Sequence, residues 1–327
     1  MPLEKELQKS MSKAGLWMAL AAIVACWVGW RLPAQTAPTQ DKTPATNPAD
    51  SLATLIQKAN QGDANAQVRL GLLYSLGQGV PQDFTQAAAW WRKAADQGNA
   101  AAQFQLGLLY DQGQGVPQDD TQAAAWYRKA ADQGDADAQI SLGWLYDQGH
   151  GVSRDDTQAA EWWRKAADQG NADAQSNLGW LYDQGHGVPQ DDTQAAAWWR
   201  KAADQGKAAA QFNLGRLYDQ GHGEPQDDTQ AAAWYRKAAD QGEAAAQFNL
   251  GLLYDQGHGV PQDYEDAYFW MDLGASHFDP AMHTGYITQK DVDAMRDDAA
   301  AHLSPAQLER AQKRAQAWFA AHPAPPQ

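Results

Sequence analysis

Apolar and polar positions along this chain recur with a period of 36 residues. Trp90, Trp126, Trp162, Trp198, Trp234 and Trp270 keep that spacing, and so do Tyr74, Tyr110, Tyr146, Tyr182, Tyr218 and Tyr254. One period, from Asn99, reads NAAAQFQLGLLYDQGQGVPQDDTQAAAWYRKAADQG. Ala102, Leu106 and Leu109 fall 4 and 3 apart, which is one face of a helix. The run Gly113-Gln-Gly-Val-Pro117 cannot continue that helix. Asp119 with Gln122 three residues on has the pattern of a capping box. The second helix then carries Ala123, Trp126 and Ala130 on one face. It stops at Gly134, which can take the left-handed C′ conformation. Each period thus predicts a helical hairpin, in which small residues such as Gly107 let helices approach closely.

Six periods run from 63 to about 278, the sixth drifting after Trp270 into MDLGASHF. A lone hairpin cannot bury its apolar face, whereas stacked copies can, so the predicted fold is all-α, an α/α solenoid. The recurring pattern A-x-x-L-G-x-L-Y-x-x-G-x-G-V-x-x-D-x-x-x-A-x-x-W-x-x-K-A-A-x-x-G resembles the Sel1-like repeat, a relative of the tetratricopeptide repeat with a longer interhelical loop. Two departures stand out. The aromatic after the capping aspartate survives as Phe84 and Tyr264, while Asp120, Asp156, Asp192 and Asp228 replace it elsewhere. The paired cysteines of some relatives are missing. The resemblance implies a superhelix whose first helices line the concave surface, and a role in binding other proteins.

The flanks differ from the repeats. Residues 50–62 echo the end of a second helix and predict an N-terminal capping helix. Residues 279–322 predict a helical C-terminal cap: Ser304-Pro-Ala-Gln307 is a helix start, and Leu308, Ala311, Ala315 and Trp318 share a face. Residues 323–327 form a tail. A charged segment, 1–13, precedes an apolar one, 14–32, read as a signal anchor or transmembrane helix, with Trp27 and Trp30 beside Arg31 at one interface. A Pro-rich linker spans 33–49. The expected setting is a bacterial inner (cytoplasmic) membrane, crossed once, with the solenoid in the periplasm. Two other fates stay open: lipidation at Cys26, since Ile23-Val-Ala-Cys26 has a lipobox-like form, or cleavage near Leu32-Pro-Ala34 and secretion.

Charge narrows the function. Lys and Arg number 25 against 40 Asp and Glu, a net −15, which argues against nucleic acid as a partner. One cysteine rules out a disulfide framework or a multi-cysteine metal cluster. His150, His186, His222 and His258 share one loop position, but stacked hairpins hold equivalent residues roughly 10 Å apart, too far to share an ion. The Asp119-Asp120 type of pair reads as a cap followed by a first-turn acid. Ser10-Met-Ser-Lys13 matches S-x-x-K but lies before the apolar segment, without S-D-N or K-T-G downstream. No catalytic residue, cofactor site or metal site is predicted.

Comparing the copies with one another separates a fixed stripe, Ala102, Gln103, Leu106, Gly107, Leu109 and Tyr110 in the second copy, from a variable one, Ala101, Phe104, Gln105 and Leu108. The fixed stripe packs hairpin on hairpin. The resemblance places the variable stripe in the groove, where Asp137, Ser141, Trp144, Asp173, Asn177, Trp180, Asn213, Arg216 and Asn249 are the candidate partner-binding residues. Successive amides at Asn177, Asn213 and Asn249 can pair with the backbone of an extended peptide. Trp144 and Trp180 beside Asp137 and Asp173 suit a Lys or Arg side chain, or a sugar. The expected function is a non-enzymatic scaffold that binds a basic peptide segment of a protein partner. The alternatives are a cell-wall- or β-lactam-directed hydrolase-like activity, as associated with cysteine-rich relatives, and a secreted host-contact factor.

Overall fold

The structure is a computed structural model that describes residues 52–276 and 289–322. These residues form fifteen helices and no strand. The N-terminal capping helix is α1 (Leu52–Asn60). The first helices of the six hairpins are α2 (Ala64–Leu76), α4 (Ala100–Gln112), α6 (Ala136–Gln148), α8 (Ala172–Gln184), α10 (Ala208–Gln220) and α12 (Ala244–Gln256). The second helices are α3 (Phe84–Asp96), α5 (Asp120–Asp132), α7 (Asp156–Asp168), α9 (Asp192–Asp204), α11 (Asp228–Asp240) and α13 (Tyr264–Ser276). The expected C-terminal cap contains α14 (Gln289–Ala301) and α15 (Pro305–Ala321). Segments 1–13, 14–32 and 33–49 lie outside the described residues, as does the tail 323–327. Among the described residues, no helix is long and apolar enough to cross a membrane.

Helix ends follow the punctuation in the sequence. Asp119 caps α5 by accepting from the Gln122 N–H at 3.0 Å, and Gly113 closes α4 in the left-handed conformation at φ 66°. The two-way capping box forms at Ser304, whose hydroxyl and backbone both engage Gln307. Lys207 and Glu243 hold N-cap positions without a side-chain cap bond, unlike Asp63, Asn99, Asp135 and Asn171 in the equivalent place.

Two compact units divide within α11, between Ala231 and Ala232. In the first, burial is shared between alanines and aromatics. Ala87, Ala88, Trp91, Ala94 and Ala95 of α3 pack with Ala102, Leu106 and Leu109 of α4 and with Trp126 of α5. The next cluster repeats the plan with Tyr127 of α5, Leu142 and Leu145 of α6 and Trp162 of α7. The first aromatic of each pair therefore reaches into the preceding cluster. The second lies over the glycine of its own hairpin: a Cβ on Gly179 would stand 2.6 Å from Cδ1 and Nε1 of Trp199. The Trp199 indole N–H also bonds the Ser176 carbonyl at 3.1 Å, tying α9 to α8.

A buried glutamine joins each hairpin to the one before it. Gln103 Nε2 donates to the Ala95 carbonyl at 3.0 Å, and Gln139 and Gln175 donate to Ala131 and Ala167 at 3.1 Å. The oxygens of Gln103, Gln139 and Gln175 each accept from a second amide, as Gln133 Nε2 to Gln103 Oε1 at 2.7 Å, whereas Oε1 of Gln247 is buried without a partner. These amides satisfy carbonyls that a helix C-terminus leaves open. In the second unit Gln247 bonds Ala239 at 3.1 Å, and Gln289 of α14 donates to the Ala275 carbonyl at 3.3 Å. Arg310 and Arg314 of α15 pair with Glu265 and Asp266 of α13, each at 2.8 Å.

Candidate functional site

The variable stripe of the first unit runs along α6, α8 and α10. Asp137 is exposed, while Ser141 and Trp144 are half-buried. On α8, Asp173 and Trp180 are half-buried, but Asn177 keeps only 2% exposure and its Nδ2 has no hydrogen-bond partner. On α10, Asn213 and Arg216 are half-buried. Asn249, on α12 of the second unit, is also half-buried. Trp144, Trp180 and Arg216 share one repeat position, at which the other copies carry leucine.

Both stripe tryptophans are held by their own loops. His150 meets Trp144 edge-on with ring centroids 5.0 Å apart, and His186 meets Trp180 in the same way at 5.0 Å. The loop histidines thus have a positioning role that spacing alone did not suggest. Nδ1 of His186 is buried without a partner. No group of three or more potential metal-ligating side chains occurs among the described residues.

Charges within the stripe are partly matched already. Lys207 Nζ lies 2.5 Å from Asp173, and Arg216 bonds Asp183 at 2.7 Å while its guanidinium sits 5.7 Å from the Trp199 ring centroid. Arg216 shows that a guanidinium fits between an aromatic ring and a carboxylate here. Ser141 is engaged inward, on the Tyr127 hydroxyl. Asp137 is raised above the ordinary carboxylate range, first by partial desolvation and then by Asp135 and Asp173.

Sequence reasoning missed a second row of acids at the ends of the first helices. Burial, together with the charge of Asp120, pushes the Asp111 carboxyl up to about 6. The Tyr127 hydroxyl stands 3.4 Å from it and is raised well above its own normal value, chiefly by burial. Asp147, 7% exposed, is raised mainly by burial as well. The clue in the sequence was an aspartate that follows the tyrosine in five of the six copies, with Ser75 in the first.

Six consecutive stretches, 64–99, 100–135, 136–171, 172–207, 208–243 and 244–277, match the Sel1 repeat. A Sel1 repeat protein from Oxalobacter formigenes is 39% identical, with a TM-score of 0.61 over 70% of this chain and 66% of that one. The c5321 protective antigen of uropathogenic Escherichia coli is 32% identical over 82% of this chain and 71% of its own, at a TM-score of 0.36. No curated protein matches the chain. Sel1 repeat proteins typically serve as protein-interaction scaffolds. With all six hairpins matched and the glycine, glutamine and aromatic contacts repeating from one to the next, the chain belongs to the Sel1 repeat family.

Proposed function

We propose that this protein is a non-enzymatic scaffold that takes a basic peptide segment of a protein partner along the first helices of its hairpins. The observation that carries the reading is the pair of half-buried tryptophans, Trp144 and Trp180, each braced by a loop histidine, with Asp137 and Asp173 two turns earlier on the same helix faces. Rigid aromatic anchors on a face that also carries carboxylates suit a peptide with Lys or Arg side chains. Arg216, seated between Trp199 and Asp183, supports this from within the chain. The Asn177 Nδ2, buried without a hydrogen-bond partner, leaves an unused donor within the stripe that gains by meeting an acceptor. Asn213 extends the amide series within the first unit, and Asn249 holds the equivalent sequence position on α12 of the second. In this reading segment 14–32 tethers the repeats to a membrane, and Pro-rich 33–49 is the spacer.

The test is crosslinking recovery of a partner from native membranes. A Trp144→Ala, Trp180→Ala double variant is expected to lose the partner while its circular dichroism and melting stay cooperative. Full recovery by that variant would remove the stripe from consideration.

A further inference from the structure

A separate basic row lies on the second helices. Arg92, Arg128 and Arg164 each donate to a tyrosine hydroxyl of the following hairpin, Tyr110, Tyr146 and Tyr182 respectively. Aromatic rings frame these guanidiniums. Arg92 lies 5.2 Å from the Trp126 ring centroid and 5.5 Å from that of Tyr110, and Arg128 lies 5.3 Å from Trp162 and 5.4 Å from Tyr146. Such rings fix the planar fork in one orientation without using all of its five donors.

Arg200 shows what the fork is shaped to take. It makes the same bond to Tyr218, at 2.6 Å, and in addition binds the Glu224 carboxylate at 2.5 Å. Glu224 occupies the loop position at which the other hairpins of this unit carry Val80, Val116, Val152 and Val188. One copy therefore holds a carboxylate against the Arg–Tyr pair, and the copies facing Arg92, Arg128 and Arg164 put valine there instead. Among the described residues, no carboxylate forms an ion pair with Arg92, Arg128 or Arg164, although Asp96, Asp132 and Asp168 lie one turn on in the same helices. Arg92 and Arg128 are half-buried and Arg164 is exposed, so their remaining N–H groups are within reach of a ligand.

We propose that Arg92, Arg128 and Arg164 form a carboxylate-binding ladder that docks an extended acidic polypeptide, one Glu or Asp side chain per hairpin. The seat is defined by its occupied copy: a guanidinium held by a tyrosine hydroxyl, with Glu224 as its internal ligand. Successive seats lie roughly 10 Å apart, the spacing of packed helices. An extended chain advances about 3.3 Å per residue, so the matching segment carries an acid at every third position. The polyproline II conformation, with three residues per turn, presents those acids on one side. A chain of net charge −15 repels polyanions in general, so binding of such a segment requires a local seat. This row is distinct from the tryptophan stripe, and either stands without the other.

The experiment uses the full chain and a fluorescein-labelled peptide of Glu-Pro-Pro repeats, followed by anisotropy at low ionic strength. The wild-type protein is expected to bind it, and to bind a peptide with glutamates at every second position several-fold more weakly. Val116→Glu with Val152→Glu copies the internal ligand into two further hairpins and is expected to weaken binding about tenfold or more, with the fold retained. Glu224→Val frees Arg200 and is expected to tighten binding several-fold. Arg92→Gln with Arg128→Gln provides a second route to loss should the valine positions not accept a glutamate. Absence of wild-type binding overturns the ladder, as does equal binding by the Val116→Glu, Val152→Glu protein when it melts normally. Stronger binding of polygalacturonate than of the peptide at matched carboxylate concentration would also overturn the assignment to a polypeptide.

Discussion

Asp111 is a carboxylate kept where the fold disfavours its charge. Its folded value is about 6, against roughly 4 in an unfolded chain. Between those values the folded protein holds more protons than the unfolded one, so Asp111 makes stability fall as pH rises from about 4 to about 6 and leaves it lower above that. Asp111→Asn removes the ionisation and can still accept from Tyr127. It is expected to stabilise the protein at pH 7 by about 1–2 kcal/mol, allowing for solvent screening, with no gain at pH 4. Urea denaturation at the two pH values checks this; an equal effect at both would mean that the carboxylate is not strained. The sequence could not show the burial of this position, because its surroundings come from Tyr127 of the next helix and from the following hairpin.

Helix faces were legible to the extent that one periodicity describes one contact. Ala102, Leu106 and Leu109 are buried as the spacing predicts, and Gly107 does allow a close approach, by Tyr127. The second member of each aromatic pair was less legible. A second helix meets neighbours on two sides and so buries adjacent residues, leaving both Trp162 and Trp163 in the core at 4% and 1% exposure. Gly179 has the matching role on the first helix. Gly179→Ala drives a methyl into Trp199 and is expected to cost about 1–3 kcal/mol. Gly170→Ala is the control: its φ is 93° with nothing within 4 Å of an added Cβ, so it carries backbone strain without the clash. Chemical denaturation of the two variants separates packing from conformation. On the variable stripe, the sequence assigned Trp144 and Trp180 to a groove, and in the structure they are half-buried. Asn177 lies buried beside them, and the inward bond of Ser141 and the pairing of Asp173 with Lys207 depend on which residues the adjoining hairpins happen to carry.

Repetition made the architecture readable, since six copies in register outweigh any ambiguity in one. Partner chemistry was less readable, because differences between copies record drift as well as recognition. Within the first unit each hairpin touches chiefly its neighbours, so removing residues 136–171, one whole period, is expected to leave a cooperatively folded protein with a lower melting temperature. Removing 136–155 alone cuts out α6 and its loop, strips α7 of its partner, and is expected to abolish cooperative melting. Differential scanning calorimetry distinguishes the two. The net −15 adds a dependence on solution conditions: association with a cationic partner is expected to slow as ionic strength rises, which stopped-flow mixing reads directly.

The amide that every hairpin extends backward gives the array a direction. Each unit completes its predecessor and leaves its own final carbonyl for whatever follows, and at the last hairpin that follower is Gln289 of a helix outside the repeat. Stripped of that helix, the Ala275 carbonyl would lose the amide that covers it. The closing helix therefore does for the last hairpin what each buried glutamine does for the hairpin before its own, and a chain cut short of it would end on an uncovered helix terminus.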